Sequence, residues 1–384
     1  MTDENKLGPV KGFKDFTGKE AEKFALIREI ARQIFEKYNY EEVQTPVIEY
    51  EDFVRGDKFQ EGDEAISDIF TLKDKGEREL ALRYEFTFQL KRIARNKKLP
   101  YKRFQIGPVF RDEPVSENRF RQLTQCDIDV IGSSVKDEAE ILSIIQEILD
   151  ALKIKYVIYV NNRKLLNEIL ADLKVKNPQN AIRELDKLDK LPEKEVKENL
   201  KKFGAEKLLD VLKKKETELQ KYSGYKEIQE LKKFCSSYGI KLVFSPFLAR
   251  GLSYYTGNVF EIKSDIKETI CGGGSYLIDG LSSTGISFSV ERLMAVSKII
   301  ISIERYLVVS LNQDTKAIAL ASKLRQQGKN VSMFYGKPSK ALEYANSYGM
   351  NKVIFVGEDE VKKKIFKVKD MISGREVKLV ISKG

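Results

Sequence analysis

The sequence of 384 residues contains no histidine and no tryptophan. The lack of histidine excludes imidazole general acid–base catalysis, His-ligated metals, and the Ser–His and Cys–His pairs that activate nucleophiles. Any catalysis by this chain must therefore rest on arginine, on carboxylates and on the positioning of the reactants.

Cysteine and long apolar runs are also scarce. Cys126, Cys235 and Cys271 are odd in number and far apart, which argues against a disulfide framework and against a zinc site. No apolar run approaches the roughly 20 residues of a transmembrane helix, and the polar stretch Met1–Lys6 is unlike the start of a signal peptide. We expect a cytoplasmic protein with reduced thiols, no membrane association and no dedicated metal site.

The composition is that of a globular protein with a substantial core. With 42% hydrophobic and 33% charged residues, a chain of this length is expected to form two or three domains. The formal net charge of +10 favours a polyanionic partner such as RNA. A lysine-rich surface that only meets solvent is the alternative explanation of that charge.

Residues 104–129 have the alternating apolar pattern of two antiparallel strands, joined by a polar loop at Pro114–Asn118. Successive side chains of a strand point to opposite faces, so the odd-numbered polar residues can share one face. These residues are Arg111, Glu113, Arg119, Arg121, Gln125, Asp127 and Asp129. Cations followed by carboxylates suit a triphosphate beside a cationic substrate, whereas an ordinary surface hairpin would only expose them to solvent.

Three segments resemble the signature motifs of class II aminoacyl-tRNA synthetases. The hairpin, with Phe-Arg-Asp-Glu before the loop and Arg-x-x-x-Leu-Thr-Gln after it, is similar to motif 2. A predicted amphipathic helix at Lys19–Tyr38, followed by a strand that ends at Pro46, resembles motif 1, which forms the dimer interface in that family. The predicted strand and helix at Ser283–Leu293 resemble motif 3.

Further segments are similar to motifs of the histidyl-tRNA synthetase family. Arg-Gly-Leu-x-Tyr-Tyr-Thr-Gly and then Val-Phe-Glu, at Arg250–Glu261, resemble the first histidine-specific motif and are the most specific match. The glycine-rich stretch Cys271–Tyr276 is similar to the second. The stretch Leu82–Thr87 is close to the family segment that grips the substrate amino group, and it leads into a predicted helix through Asn96. As local structure, Glu85 is simply a carboxylate in the first turn of that helix.

The resemblance implies a role for each matched residue. The catalytic residues would be Arg111, Arg250 and Glu85. ATP would be bound by Arg111, Glu113, Arg119, Leu123, Gly285 and Arg292. Histidine would be bound by Glu85, Thr87, Arg111, Gln125, Asp129, Arg250, Tyr254, Tyr255 and Tyr276. The resemblance also implies Mg²⁺ with the ATP phosphates, and the sequence contains no dedicated metal cage.

The fold implied by the resemblance is α+β: a class II synthetase antiparallel sheet flanked by helices, with a helical insertion and a C-terminal α/β anticodon-binding domain. Residues 1–160 and 240–303 would form the catalytic domain, residues 161–239 the insertion and residues 304–384 the anticodon-binding domain. The β-α-β-α-β pattern after Arg305 predicts a mostly parallel sheet. The lysine runs of the insertion are either a solvated face or a tRNA contact.

The resemblance implies a histidine–tRNA ligase that uses ATP, L-histidine and tRNA(His) and forms a homodimer through motif 1. A non-catalytic relative that senses histidine or binds RNA is the alternative. Three positions depart from the family pattern: Ser253 replaces an aspartate, Ser275 an arginine, and Leu123 the aromatic residue that stacks on adenine. Non-catalytic relatives typically lose the anticodon domain and several ligand arginines, and this chain keeps both.

Overall fold

The computed structural model describes residues 7–55, 68–249 and 254–379. The chain divides into two compact units, Met1–Ile299 and Ile300–Gly384. The predicted insertion lies within the first unit, and the predicted anticodon-binding region lies within the second. The domain boundaries themselves stay predictions.

The first unit consists of helices packed on sheets. Its helices are α1 (Gly18–Lys37), α2 (Glu51–Arg55), α3 (Leu90–Ile93), α4 (Val135–Ala151), α5 (Arg163–Asp172), α6 (Pro178–Leu185), α7 (Glu193–Lys201), α8 (Leu208–Leu212), α9 (Glu216–Leu219), α10 (Ser223–Ser237) and α11 (Val290–Val296), with a 3-10 turn at Asp186–Asp189. Its strands are β1 (Glu41–Glu42), β2 (Ile48–Tyr50), β3 (Thr71–Lys73), β4 (Glu79–Leu82), β5 (Tyr101–Phe110), β6 (Gln122–Ile131), β7 (Val157–Asn162), β8 (Leu242–Phe244), β9 (Tyr255–Lys263), β10 (Cys271–Ile278) and β11 (Leu281–Ser289).

The main sheet has eight strands in the order β1-β5-β6-β11-β10-β9-β7-β8. Neighbouring strands from β5 to β7 in this order are antiparallel, whereas β1 and β8 at the edges are parallel to their neighbours. β5 and β6 pair along their whole lengths, which confirms the predicted hairpin. The antiparallel sheet and its helices confirm the predicted α+β class. A smaller antiparallel sheet has the order β2-β4-β3.

Helices α1 and α4 contribute to the core on one face of the main sheet. The buried residues of α1 are Ile27, Ala31, Ile34 and Phe35, at the spacing of one helical face. The Phe35 ring lies 5.1 Å from the ring of Phe104 on β5. The β6 residues in this core are Cys126, Ile128 and Val130. Because strand side chains alternate, the odd-numbered residues of β6 face away from these helices.

The segment between β7 and β8 is helical, as the sequence predicts. Its apolar residues join the core of the main sheet, among them Leu165, Ile182, Leu208 and Ile228. β7 extends to Asn162, two residues past the predicted strand, and the Asn162 side chain accepts hydrogen bonds from the first turn of α5. The insertion is therefore packed as part of the first unit.

The predicted helix from Thr87 to Asn96 is wrong in length. Only α3, Leu90–Ile93, forms there, and β5 begins at Tyr101. Leu90 is fully buried, but the residues around Lys97 are exposed and charged. Without an apolar face to pack, a short segment gains too little to extend a helix.

The second unit is an α/β sandwich. Its elements are β12 (Arg305–Ser310), α12 (Asp314–Gln326), β13 (Asn330–Tyr335), α13 (Pro338–Ser347), β14 (Lys352–Val356), α14 (Glu358–Lys363), β15 (Lys367–Asp370) and β16 (Glu376–Lys378). The strand order is β13-β12-β14-β15-β16, and the first three strands are parallel as predicted. The last two are antiparallel, and α14 was not predicted. Among the helices of both units in the described residues, none is long and apolar enough to cross a membrane.

A buried carboxyl group joins α4 to β9 and β10. Ser275 Oγ donates a hydrogen bond to Glu138 Oε1 at 2.5 Å, and Asn258 Nδ2 donates to Glu138 Oε2 at 2.7 Å. Asn162 Nδ2 in turn donates to Asn258 Oδ1 at 2.9 Å. Burial raises the pKa of Glu138 to about 7. These bonds connect the sheet to its helical layer.

The raised pKa of Glu138 predicts a loss of stability as the pH rises. The reference pKa of the Glu138 carboxyl group is 4.5 and its folded pKa is about 7. The protonated form therefore contributes its full stabilisation below pH 4.5, and this contribution is lost as the pH rises through about 7. Glu138→Gln removes this titration. The free energy of unfolding of the unmodified protein should fall between about pH 5 and about pH 8. In the Glu138→Gln variant this fall should be smaller by up to roughly 3 kcal/mol, as measured by urea unfolding.

Glu195→Gln, on the exposed side of α7, is the matched control and should leave the pH dependence unchanged. Burial also raises the pKa values of Glu85 and Glu291 to about 7 and of Asp127 to about 8. Glu138→Gln should therefore reduce the pH dependence without abolishing it. The same slope in Glu138→Gln and in the unmodified protein would contradict the protonation assigned to Glu138.

Candidate active site

A cavity of about 450 Å³ lies on the face of the main sheet that carries the odd-numbered residues of β6. The predicted site residues that line it are Glu85, Thr87, Arg111, Glu113, Arg119, Leu123, Gln125, Asp129, Tyr254, Tyr255, Tyr276, Gly285 and Arg292. Arg250, the remaining predicted site residue, lies outside the described residues, as does Ser253. The structure thus brings together every predicted site residue that it describes.

Hydrogen bonds order the floor of the cavity. Arg111 Nη2 donates to Gln125 Oε1 at 3.0 Å, and Gln125 Nε2 donates to Asp127 Oδ1 at 2.7 Å. The Arg111 guanidinium also stacks on the ring of Tyr84, 4.6 Å from its centroid. These contacts fix one cation and one amide at the centre of the floor, where a substrate could bind between them.

Three tyrosines wall one end of the cavity. The ring of Tyr254 lies 4.8 Å from that of Tyr255 and meets the ring of Tyr276 edge-on at 5.7 Å. The Tyr276 hydroxyl donates a hydrogen bond to Asp129 Oδ1. Flat walls with a carboxylate acceptor suit a planar ring that carries an N–H group.

Glu85 is a second buried carboxyl group of this end. Burial raises its pKa to about 7, while the positive charge of Arg111 and hydrogen bonding to Thr87 act in the opposite direction. The Tyr254 hydroxyl donates to Glu85 Oε2 at 3.5 Å, and within the described part of the chain Glu85 Oε1 has no hydrogen-bond partner. A buried acceptor of this kind suits a cationic donor such as an ammonium group.

Positive charge gathers at the other end. Arg292 is the third residue of α11, and Ser289 Oγ accepts a hydrogen bond from its backbone N–H at 3.1 Å. Its Nη1 donates to the Thr269 carbonyl at 3.0 Å. Burial lowers the pKa of Arg292, and the neighbouring cations Arg111 and Arg119 lower it further. Converging guanidinium groups that repel one another suit a polyanion such as a triphosphate.

Gly285 gives space to Asp129. The two residues pair across β6 and β11, and a Cβ at Gly285 would lie 1.9 Å from Asp129 Oδ1. The sequence assigns Gly285 to ATP, but its nearest side chain is at the tyrosine end. A glycine is needed here because any other residue would displace the carboxylate.

The departures from the family pattern have different locations. Ser275 is directed to the helical layer, where it bonds Glu138, and it is not one of the cavity residues. Leu123 lines the cavity together with Phe120, so an aromatic ring is available beside the leucine.

The prediction that Arg121 shares the face of the other odd-numbered residues is wrong. Arg121 pairs with Asp112 Oδ1 at 3.0 Å outside the cavity, because β6 begins only at Gln122.

Several cavity residues were not assigned a role from the sequence. They are Tyr84, Asn118, Phe120, Asp127, Arg183, Asp186, Lys187, Lys190 and residues 269–272 and 286–289. Arg183 and the lysines come from α6 and the turn that follows it, in the insertion. These helices reach the cavity by long-range packing, which local periodicity does not reveal.

Comparisons with known proteins agree with this geometry. A family model described as histidyl-tRNA synthetase matches residues 12–293, and a model described as anticodon binding domain matches residues 305–383. An antiparallel sheet with the three motifs on adjoining elements, followed by an anticodon-binding domain, defines a class II aminoacyl-tRNA synthetase.

Relatives cover nearly the whole chain. Histidine–tRNA ligase 1 of Bacillus cereus is 31% identical over 97% of this chain and 97% of its own length. Histidine–tRNA ligase 2 of Shouchella clausii is 33% identical over 96% of each. The histidyl-tRNA synthetase structure from Nostoc sp. PCC 7120 has a TM-score of 0.83 at 26% identity and covers 97% of this chain and 96% of that one. The chain belongs to the histidyl-tRNA synthetase family.

A further structure shares the fold. It comes from Bacillus halodurans C and is described as an ATP phosphoribosyltransferase regulatory subunit/histidyl-tRNA synthetase. Its TM-score is 0.76 at 19% identity, with 92% of this chain and 99% of that chain covered. At this identity the similarity concerns the fold alone.

Gly285→Ala should weaken the binding of histidine. The new methyl group would overlap Asp129 Oδ1 and displace the carboxylate. Loss of a charged hydrogen bond typically costs about 1.5–3 kcal/mol, so the dissociation constant for histidine should rise roughly 10- to 150-fold. Isothermal titration calorimetry measures this change.

Gly76→Ala is the matched control, because its methyl group would meet Asp74 Oδ1 only at an ordinary 3.4 Å. This variant should bind histidine like the unmodified protein. A Gly285→Ala protein that is folded by circular dichroism and binds histidine with unchanged affinity would contradict the predicted role of Asp129 in histidine binding.

Proposed function

We propose that this chain is a histidine–tRNA ligase, which activates L-histidine with ATP and transfers the histidyl group to the 3′ end of tRNA(His). The observation that carries the proposal is that one cavity contains a cluster of arginines and, beside it, carboxyl groups walled by tyrosines. The arginines suit a triphosphate, and the tyrosine end suits an amino acid with an imidazole ring. Membership of the histidyl-tRNA synthetase family supports the same reaction.

In the first step the carboxylate of histidine attacks the α-phosphate of ATP, giving histidyl-adenylate and pyrophosphate. Arg111 and Arg250 would hold the α-phosphate and the carboxylate, and Arg119 and Arg292 would hold the outer phosphates. Guanidinium groups stabilise the developing negative charge without having to change protonation state. Glu113 would accept a hydrogen bond from the adenine amino group.

Histidine would bind between the floor and the tyrosines. Glu85 and Thr87 would receive its ammonium group, and the nearby positive charge would favour the ionised form of Glu85. Asp129 and Tyr255 would bind the imidazole nitrogens, and Gln125 would orient the substrate. A side chain without matching N–H groups would remove the hydrogen bond that the ligand donates to the buried carboxylate of Asp129, and such mismatches lower activity by about 10⁴-fold in the strongest cases.

Positioning supplies the catalysis, because the nucleophile is the substrate's own carboxylate and no base has to remove a proton from it. Alignment of two reactants can contribute roughly 7–11 kcal/mol toward the barrier. This agrees with a site built without histidine. The ordered contacts of Arg111 with Gln125 and Tyr84 support such a rigid arrangement.

Magnesium would enter with the nucleotide. No group of three or more acidic or cysteine side chains is arranged to hold a metal ion within residues 7–55, 68–249 and 254–379. Mg²⁺ in nucleotide sites usually keeps several waters and takes phosphate oxygens with one or two carboxylates. The ion would be held by phosphate oxygens and waters at the arginine end of the cavity, and it would neutralise phosphate charge.

In the second step the terminal ribose hydroxyl of the tRNA takes the histidyl group and AMP is released. The region matched as an anticodon-binding domain would bind the anticodon, and the net charge of +10 suits this partner. We further propose a cytoplasmic homodimer that assembles through α1 and the strand that follows it, the counterparts of motif 1.

Exchange of labelled pyrophosphate into ATP tests the proposal. The unmodified protein should catalyse this exchange only when histidine is present. Arg250→Ala should lower the exchange rate roughly 10²- to 10³-fold or more, as expected for loss of a group that stabilises the transition state.

Arg95→Ala is the matched control, because Arg95 is exposed and does not line the cavity, and its exchange rate should be unchanged. Histidine binding without exchange by the unmodified protein would identify the sensing relative instead. Substantial exchange by Arg250→Ala would remove this arginine from the mechanism.

A further inference from the structure

We propose that Arg103 is a positioning residue for histidine, which orients Asp129, favours its ionised form and also anchors the segment that carries Glu85 and Thr87. The inference rests on the proposed function, since it concerns the same amino acid subsite. Arg103 was not among the residues that the sequence motifs single out. It acts through other groups and would not touch the substrate.

The location of Arg103 is unusual for an arginine. It lies on β5 directly opposite Asp129 of β6 and is 0% exposed. Its Nη2 lies 2.5 Å from Asp129 Oδ2, and the side chains of this pair are 0% and 6% exposed. A buried guanidinium is costly unless carboxylates compensate its charge. Asp129 is therefore the main reason that this arginine can be buried.

Asp129 is held from two sides. The Tyr276 hydroxyl donates to Oδ1, and Arg103 lies at Oδ2. Gly285 leaves the space that the carboxylate occupies. The direction of Asp129 toward the tyrosine end is thus fixed before any ligand arrives, which lowers the cost of ordering the site on binding.

Arg103 also opposes the effect of burial on two carboxyl groups. Burial raises the pKa values of Asp129 and Asp127, and the charge of Arg103 acts on both in the opposite direction. The charged and titratable groups near Asp129 are Arg103 on β5, Asp127 on β6, Tyr276 on β10, Tyr40, and Glu85 of the segment before α3. Within the described part of the chain, Arg103 is the one cation of this set.

The second contact of Arg103 reaches the other part of the histidine subsite. Nη2 donates to the Phe86 carbonyl at 3.3 Å. Phe86 lies between Glu85 and Thr87, the residues proposed to receive the ammonium group. One guanidinium therefore connects the elements that would bind the two ends of the substrate, and it sets the distance between them.

The test compares Arg103→Met with the unmodified protein in histidine-dependent pyrophosphate exchange. At about pH 7 the KM for histidine should rise roughly tenfold or more, and the KM for ATP should stay within about twofold. Without the guanidinium, Asp129 would ionise only at higher pH. The ratio of the variant's KM for histidine to that of the unmodified protein should therefore fall as the pH is raised. This ratio cancels the titration of histidine itself.

Two variants separate positioning from support of the fold. Arg163→Met removes another buried arginine, which donates to Gln179 and to the Ala249 carbonyl. It should give a KM ratio that does not change with pH. Arg103→Lys retains the charge, so its KM for histidine should depend on pH as in the unmodified protein, even if that KM is raised. This variant is measured in place of Arg103→Met if Arg103→Met does not fold.

The outcomes are distinct from failure of the proposed function. If the unmodified protein does not catalyse histidine-dependent exchange, the proposed function fails. If it does, a pH-independent KM ratio for Arg103→Met, or the same pH dependence in Arg103→Lys and Arg103→Met, would overturn the role of Arg103.

Discussion

The register of β6 between β5 and β11 is the constraint on which the site depends. It places Asp129 opposite both Arg103 and Gly285, and it directs the odd-numbered residues of β6 to the cavity and the even-numbered ones to the helical core. A slip by one residue would exchange the two sets, burying carboxylates under α1 and exposing Ile128. The extensive core under the sheet therefore specifies the site as well as the fold.

The cavity combines groups that would repel or destabilise one another without a ligand. Three arginines gather at one end, and at the other the buried carboxyl groups have raised pKa values. A triphosphate and an amino acid ammonium group carry the charges that compensate both ends. A chain without histidine can thus bring two reactants together by charge and shape, with protonation states that respond to the ligands.

Sequence reasoning was most successful where a short pattern determines the structure. The period of two in β5 and β6 predicts the hairpin and the shared face of Gln125 and Asp129, and the motif order predicts the family. The sequence does not predict the positions of residues that are determined by long-range packing. Nothing local indicates that Lys187 of the insertion lines the cavity, that Ser275 faces Glu138, or that Arg103 lies under Asp129.

The central claim is that one cavity binds a nucleotide and histidine side by side. A crystal structure with ATP and histidinol, which lacks the carboxylate and cannot react, tests it most directly. The account predicts the imidazole between Asp129 and the tyrosines, with the phosphates against Arg111 and Arg292. An imidazole bound away from Asp129, or phosphates bound away from these arginines, would contradict it.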